Sequence, residues 1–260
     1  MSRDPGEPSH PMHESEVPDS TSGATGFIRA AQRKTAAEAL SAGAGRELVP
    51  LEALLSQAER FAVHLTDTLR GESRLHERIA CGAGCGWCCH VQVVVSAAEA
   101  LRVARHLRET LDPAELAKTI ARVAWLDRVT RGLSREARAD TRLPCALLVD
   151  FSCSVHPARP LRCRSWNSLD VERCKVEQAR PRSGDLEIEN VQWEVTRAVA
   201  AGVADGVADA SLDGARLELT AAVRIALETP DAEARWRAGE PVFAGAEASQ
   251  DPPQEGAAHA

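Results

Sequence analysis

The sequence predicts a mainly α-helical protein built around an irregular, cysteine-rich centre. Three observations support this fold class: apolar residues recur at helical spacing in several long segments, capping signals stand at helix starts, and the eight cysteines fall in two stretches without helical periodicity. With 260 residues, 44% of them hydrophobic, the chain can bury a real core. We therefore expect a helical scaffold with at most a short β-hairpin.

The first two predicted helices of the core lie on either side of the first cysteine stretch. From Leu51 onward, apolar residues follow one helix face, and Gly71 is typical of a residue that ends a helix. After the cysteines, VQVVVS alternates as a short extended piece does. Ser96 and Glu99 then form a capping box that predicts the helix SAAEALRVARHLRETL.

Three more helices are predicted further along the chain. Asp112 as N-cap and Pro113 at the first helical position predict a helix that runs to about Gly132. Apolar residues at helical spacing predict two further helices, one over 191–203 and one over 212–226.

Residues 141–175 are predicted to be rich in loops. Their prolines interrupt helices, and CALLVDFSCSV has the alternation of a small hairpin. Four of the eight cysteines lie in this stretch.

Composition predicts one domain between two tails. Residues 1–45 form a predicted disordered N-terminal tail, with a short helix expected in FIRAAQRKTAAEAL, and 247–260 form a disordered C-terminal tail. A single helical domain is expected over 46–246, with its cysteine cluster spanning 81–174.

Charge and hydropathy limit the function classes. A net charge of -7 argues against a nucleic-acid partner, and no apolar segment is long enough to predict a membrane partner or span. The N-terminus lacks the pattern of a secretory signal, so we expect a cytoplasmic location. In that reducing compartment, clustered thiols indicate metal binding or redox chemistry rather than disulfides.

The spacing of the first cysteines suits a metal ion. Cys81, Cys85 and Cys88 are close enough in sequence, with glycines between them, for a loop to wrap an ion. Neighbouring side chains diverge, so Cys88 and Cys89 suit two centres, or one ligand and one supporting thiol. Eight cysteines complete two four-thiolate sites, or one such site with four thiols left for other work.

Arginines surround the second cysteine stretch. Arg159, Arg162 and Arg164 flank Cys163 and could balance thiolate charge or donate hydrogen bonds to sulfur. We therefore name Arg159 and Arg162 as candidate cofactor-binding residues. The alternative is that these arginines are solvated or pair with nearby acidic residues.

These motifs resemble a known family. C-x3-C-x2-C-C, then CALL, then C-x-V-H-x-x-RPLRCRSW is similar to the YkgJ-type cysteine cluster proteins, which carry a zinc- or iron-chelating CxxCxxCC domain, and WRAGEPVF downstream is also similar to members of that group. The resemblance implies zinc or iron as cofactor, with an iron–sulfur cluster as one form. The sequence itself shows no catalytic set. It implies these metal ligands: Cys81, Cys85, Cys88, Cys89, Cys145, Cys153, Cys163 and Cys174.

The sequence departs from the family pattern at the first spacing, which has three residues instead of two, and at His156, where relatives often have tyrosine. His156 and His90 are further candidate ligands, although loop or surface roles suit both. The same region occurs in proteins similar to flagellin lysine N-methylase, so an iron–sulfur methyltransferase is one alternative, although no G-x-G-x-x-G motif stands in a suitable βαβ context. A thiol redox sensor is the other alternative. A metal-binding protein is the leading interpretation, with any redox or protein partner unidentified.

Overall fold

The computed structural model describes residues 23–41, 49–71, 79–82, 84–181 and 186–249. Over these ranges it contains ten α-helices and two small two-stranded sheets, and helices make up 62% of the structure, which confirms the mainly α prediction. The helices are α1 (Ala24–Leu40), α2 (Leu51–Arg70), α3 (Ala97–Thr110), α4 (Pro113–Thr130), α5 (Arg135–Asp140), α6 (Leu161–Ser165), α7 (Val171–Ala179), α8 (Asn190–Asp209), α9 (Leu219–Glu228) and α10 (Ala232–Arg237). The strands are β1 (Val94–Val95), β2 (Leu148–Val149), β3 (Ser152–Cys153) and β4 (Leu217–Glu218).

Two helices organise the core. Helices α1, α2 and α6 pack on α8, while α3 and α4 pack on α9. Trp236 and Phe243, which belong to the WRAGEPVF stretch, are fully buried in this core, and the Trp236 indole N–H donates to the Asp213 carbonyl at 3.2 Å. No helix in the described ranges has the length and apolar character of a membrane span.

Helix α1 docks closely on α8. The two backbones approach where α8 has glycine, because a Cβ at Gly206 would lie 2.5 Å from the Arg33 carbonyl oxygen and 2.6 Å from the Ala36 side chain. The packed structure therefore includes residues 24–40, which lie ahead of the expected domain boundary at 46 and contain the expected short helix. The parts of the predicted tails over 1–22, 42–45 and 250–260 lie outside the described residues.

The local start and stop signals act as the sequence predicts. The Ser96–Glu99 capping box opens α3, and Asp112 caps α4 by accepting from two backbone N–H groups. Gly71 ends α2 with a positive φ of 56°, a conformation that favours glycine.

Two predictions differ from the structure. The helix predicted over 212–226 begins only at residue 219, because 217–218 form β4, which pairs antiparallel with β1, and Glu218 caps α9. The loop-rich middle also contains the short helices α6 and α7. Pro160 precedes α6 and Asp170 caps α7, so the proline stands where no helical N–H is needed.

The predicted hairpin is present. Strands β2 and β3 pair Leu148 with Cys153, and the chain reverses through Asp150 and Phe151. Both turn residues have positive φ, 47° and 63°, as a tight two-residue hairpin turn requires.

Candidate metal centre

The first cysteine stretch is a turn shaped by glycine. Gly84 has a φ of +79°, which other residues rarely adopt, and Gly86 is buried against the hairpin. A Cβ at Gly86 would lie 2.8 Å from the Leu148 side chain and 3.1 Å from the Phe151 carbonyl oxygen. Glycine at this position therefore lets the cysteine turn reach the hairpin of the second stretch.

Backbone hydrogen bonds bind the two cysteine stretches together. The Cys145 N–H donates to the Cys89 carbonyl at 2.7 Å, and the Ala80 N–H donates to the Ser168 carbonyl at 2.8 Å. The Arg138 guanidinium of α5 donates to the carbonyls of His90 and Leu143 at 3.1 and 3.0 Å. These bonds bring all eight cysteines to one region of the molecule.

One set of thiols forms what we call the first thiol group: Cys81, Cys85, Cys88 and Cys174. Removal from water raises the pKa of Cys81 to about 11, and the negative charges of the other three members add to the rise. Burial also raises the pKa of Cys174, again with repulsion from Cys88 and Cys85. The Ser168 backbone N–H and hydroxyl hydrogen-bond with Cys81 and Cys174, so one buried serine links two members of the group.

The remaining thiols form the second thiol group: Cys89, Cys145, Cys153 and Cys163. Burial raises the pKa of Cys145 to about 11 and that of Cys163 well above its usual value. Repulsion from Cys145 and Cys153 adds to the rise at Cys163. The second group thus combines one thiol from the first stretch with three from the second.

The neighbouring cysteines Cys88 and Cys89 connect the groups. A hydrogen bond from Cys89, together with the nearby positive charge of Arg159, lowers the pKa of Cys88 to about 7. The same hydrogen bond raises the pKa of Cys89. Charge repulsion couples Cys88 to members of both groups, whereas Cys89 interacts with Cys145 and Cys163.

The structure separates the two candidate arginines. Arg159 lies among the thiols, where its charge lowers the pKa of Cys88 and opposes the rise at Cys153 and Cys163. Its Nε is buried without a hydrogen-bond partner. Arg162 instead stacks on the Trp193 ring at 5.0 Å from its centroid.

A buried ionic network, which sequence reasoning missed, holds the second stretch. Arg102 of α3 pairs with Glu52 and Glu59 of α2 and donates to the Pro157 carbonyl at 3.3 Å. Arg164 pairs with the same Glu59 at 2.9 Å and donates to the Pro157 carbonyl at 2.8 Å, so the third arginine around Cys163 supports the backbone. Its charge also opposes the rise of the Cys153 pKa. These residues are far apart in sequence, and only the fold brings them together.

The candidate histidines have different surroundings. The His90 Nδ1 lies 3.2 Å from the Trp87 carbonyl, a contact within its own turn. His156 stands in the 3-10 turn His156–Ala158, and burial and the charges of Arg159 and Arg164 lower its pKa. His90 also lines the pocket that Cys81, Cys85, Cys88 and Cys174 line, so it lies beside the first thiol group.

The donor chemistry fits a thiophilic metal, although the side chains do not form a coordination sphere as they stand. Within the described ranges, no three His, Cys, Asp or Glu side chains are placed to share one ion. All eight cysteines are nevertheless free thiols, and thiolate is a preferred ligand of zinc and of iron–sulfur clusters. A bound cation would relieve the repulsion within each group, and its capture would require the cysteine side chains to rotate.

The fold and the thiol groups define a helical scaffold protein with a clustered-cysteine chelating centre. Residues 80–183 match the family model CxxCxxCC, described as "Putative zinc- or iron-chelating domain". The match confirms the family resemblance for the cysteine-rich segment and supports metal binding in general. No curated protein and no solved structure matches the chain.

Proposed function

We propose that this protein binds zinc or iron at two neighbouring centres, one in each thiol group. The observation that carries the proposal is that neighbouring cysteines lie with different partners. Cys88 lies with Cys81, Cys85 and Cys174 around one pocket, whereas Cys89 interacts with Cys145 and Cys163. Each group has four thiols, and four sulfurs are the complement of one zinc ion or one iron–sulfur cluster.

The chain's own residues supply the geometry of each centre. Cys81, Cys85 and Cys88 come from one turn, and α7 adds Cys174 to complete the first group. In the second group, Cys89 meets a hairpin residue, a residue at the hairpin entrance and a residue of α6. Zinc would join these segments as a structural crosslink, and an iron–sulfur cluster would add electron exchange.

Arg159 is the charge-balancing residue of this proposal. Two four-thiolate centres side by side carry a large negative charge, and Arg159 lies next to members of both. Its buried Nε–H has no hydrogen-bond acceptor among the described residues, and a metal-bound sulfur would accept from it. Arg162 contributes to the pocket beside the first group rather than to the thiols.

The test is metal and sulfide analysis of protein purified without oxygen, compared with two single-cysteine variants. We expect two zinc ions per chain, or iron with matching sulfide for two clusters. Cys85→Ser removes a ligand of the first group and Cys153→Ser one of the second, so each variant should retain roughly half of the metal. Thr68→Ser, on the exposed side of α2, is the control and should retain all of it.

Two outcomes would contradict the proposal. If each cysteine variant loses all of the metal, the eight thiols serve one centre. If the folded wild-type protein carries no stoichiometric zinc or iron, metal binding is wrong, and reversible loss of free thiols with peroxide would then favour the redox-sensor interpretation.

A further inference from the structure

The two thiol groups differ in how open they are to other molecules. A pocket of about 190 Å³ is lined by all four thiols of the first group and by none of the second. Cys81 and Cys88 of the first group are exposed, whereas the four thiols of the second group are all partly buried. A small molecule in this pocket would therefore lie beside sulfurs of the first group only.

The helix that carries Cys174 is held less firmly than the helix that carries Cys163. Cys174 lies on α7, and none of the nine residues of that helix is buried. Cys163 lies on α6, where Leu161 is buried and donates its N–H to the buried Glu99 carboxylate at 2.9 Å. Local opening costs least where few side chains are buried. Cys174 is therefore the thiol whose helix can move away from the first group at the lowest cost.

The lining of the pocket suits an uncharged molecule of a few heavy atoms. Besides the thiols, two acidic and two basic side chains line it: Glu136, Glu177, Arg135 and Arg162. Each of these four already has an interaction partner, so the lining favours neither a cation nor an anion. A volume of about 190 Å³ exceeds the roughly 150 Å³ of a cavity that holds benzene, so a small organic thiol fits.

We propose that the first thiol group is a metal-exchange site, reached through this pocket by small uncharged thiols, whereas the second group keeps its metal. This exchange rests on the proposed function, because it requires a metal in each group. The sulfur of the incoming thiol bonds to the metal, the bond between the metal and Cys174 breaks, and the proton of the incoming thiol passes to the Cys174 sulfur. No electron is transferred. The same step at the other three thiols releases the metal, which is thus cargo in the first group and resident in the second.

The test is the transfer of zinc from the full chain, loaded with zinc in both groups, to the indicator 4-(2-pyridylazo)resorcinol. The probe is 2-mercaptoethanol, and ethylene glycol, which has a hydroxyl in place of the thiol, is its matched analogue. Without the thiol, we expect the zinc of both groups to leave slowly. With the thiol, half of the zinc should leave faster by about tenfold or more, whereas ethylene glycol should change nothing.

Two cysteine variants assign the zinc that responds to the thiol. Cys153→Ser removes a ligand of the second group, so the zinc that remains in this variant should still leave faster with the thiol. Cys85→Ser removes a ligand of the first group, and its remaining zinc should not respond. Hydrogen exchange with mass detection should also accelerate over 171–179, in α7, when the thiol is added, and stay unchanged over 161–165, in α6.

A pocket-filling substitution tests the route. Ala139 lies on α5 and lines the pocket, so Ala139→Leu should remove most of the acceleration by the thiol. Ala137→Leu makes the same change on the same helix at a residue that does not line the pocket, and it should leave the acceleration unchanged. Should Ala139→Leu unfold, the two cysteine variants still decide which group responds.

Several results would overturn the exchange site. These are a thiol response of all of the zinc or of none, a response that persists in Cys85→Ser, an equal effect of ethylene glycol, or equal rates in the two alanine variants. Metal analysis of the same sample separates the two proposals. A chain that takes up no zinc contradicts the metal function as well, whereas a chain that holds zinc in both groups without a thiol response contradicts the exchange site alone.

Discussion

Three buried polar side chains hold the loop after α6 against the start of α8. They belong to Arg70, Glu189 and Asn167. Arg70 and Glu189 form an ion pair whose side chains are 7% and 2% exposed. Glu189 also caps α8 by accepting from the N–H groups of Val191 and Gln192, both at 2.9 Å. Its own N–H donates to the Asn167 side-chain oxygen at 2.7 Å, so one glutamate joins α2, α8 and the loop after α6.

At this residue scale, we predict that Arg70→Met destabilises the fold strongly. The substitution leaves the Glu189 carboxylate buried without its cation, which typically costs about 3–5 kcal/mol. Denaturant unfolding measures the free energy of unfolding. Arg235→Met breaks the half-exposed pair with Glu240 and is the control, with a change within about 1 kcal/mol. A loss no larger than in the control would show that the Arg70 pair contributes nothing net.

The Arg70–Glu189 pair also predicts how the free energy of unfolding changes at acidic pH. Burial raises the pKa of Glu189, but the Arg70 hydrogen bond, the two backbone N–H groups and the Arg70 charge outweigh it and hold this pKa below its usual value. The stability that this group contributes is therefore present above the usual glutamate pKa, near 4.5. It is lost as the pH falls through the lower, folded-state pKa. Arg70→Met should remove this part of the acid dependence.

At the scale of elements, Glu99 joins two helices. Its Oε2 accepts from the Ser96 N–H and hydroxyl, both at 2.9 Å, and completes the cap of α3. Its Oε1 accepts from the Leu161 N–H at 2.9 Å, at the start of α6. Because α6 carries Cys163, the capping box of one helix also positions a thiol of the second group.

We predict that Glu99→Gln loosens α6. A glutamine offers one acceptor oxygen where the glutamate offers two, so one buried donor loses its partner at a cost of about 1–3 kcal/mol. Hydrogen exchange at Leu161 should accelerate, and metal loss to a chelator from the second group should be faster than from the first. Glu115→Gln, on the exposed first turn of α4, is the control. Unchanged exchange at Leu161 would argue against the link.

At the scale of the whole molecule, the apolar core and the thiol groups are different parts of the fold. Helices α3, α8 and α9 bury a continuous apolar core that includes Leu107, Val199 and Ala222. The cysteine stretches contribute turns, short strands with few ladder hydrogen bonds, and the short helices α6 and α7. Burial of the apolar core therefore stabilises the helices by itself, whereas the two cysteine stretches depend on crosslinks that join one stretch to the other.

We predict that chelation of the metal opens the stretches and leaves the scaffold intact. Hydrogen exchange with mass detection should show lost protection over 84–93 and 145–174 after chelator treatment. Residues 97–110 and 219–228, in α3 and α9, should keep theirs. Equal loss of protection everywhere would mean that the metal holds the whole fold, and no loss anywhere would mean that it holds nothing.

The sequence by itself determined the features that depend on neighbours along the chain. The Ser96–Glu99 box and the Asp112 cap act over one helical turn, and the clustering of cysteines is a matter of spacing. The same locality explains why the predicted start of the last long helix, at residue 212, was wrong. Leu212 and Ala215 have helical spacing with Leu219, but residues 217–218 pair with β1, which lies far away in sequence, so the helix begins only at Leu219.

Only the tertiary structure decided which thiols meet and which arginine faces them. Cys89 hydrogen-bonds with Cys88 yet groups with cysteines from the other stretch, because the Cys145 N–H binds its carbonyl and brings the hairpin alongside. Arg159 and Arg162 look equivalent in the sequence, but α6 turns Arg162 onto Trp193 of α8. Such pairings are fixed by long-range packing and hydrogen bonds, for which the spacing of residues along the chain carries no signal.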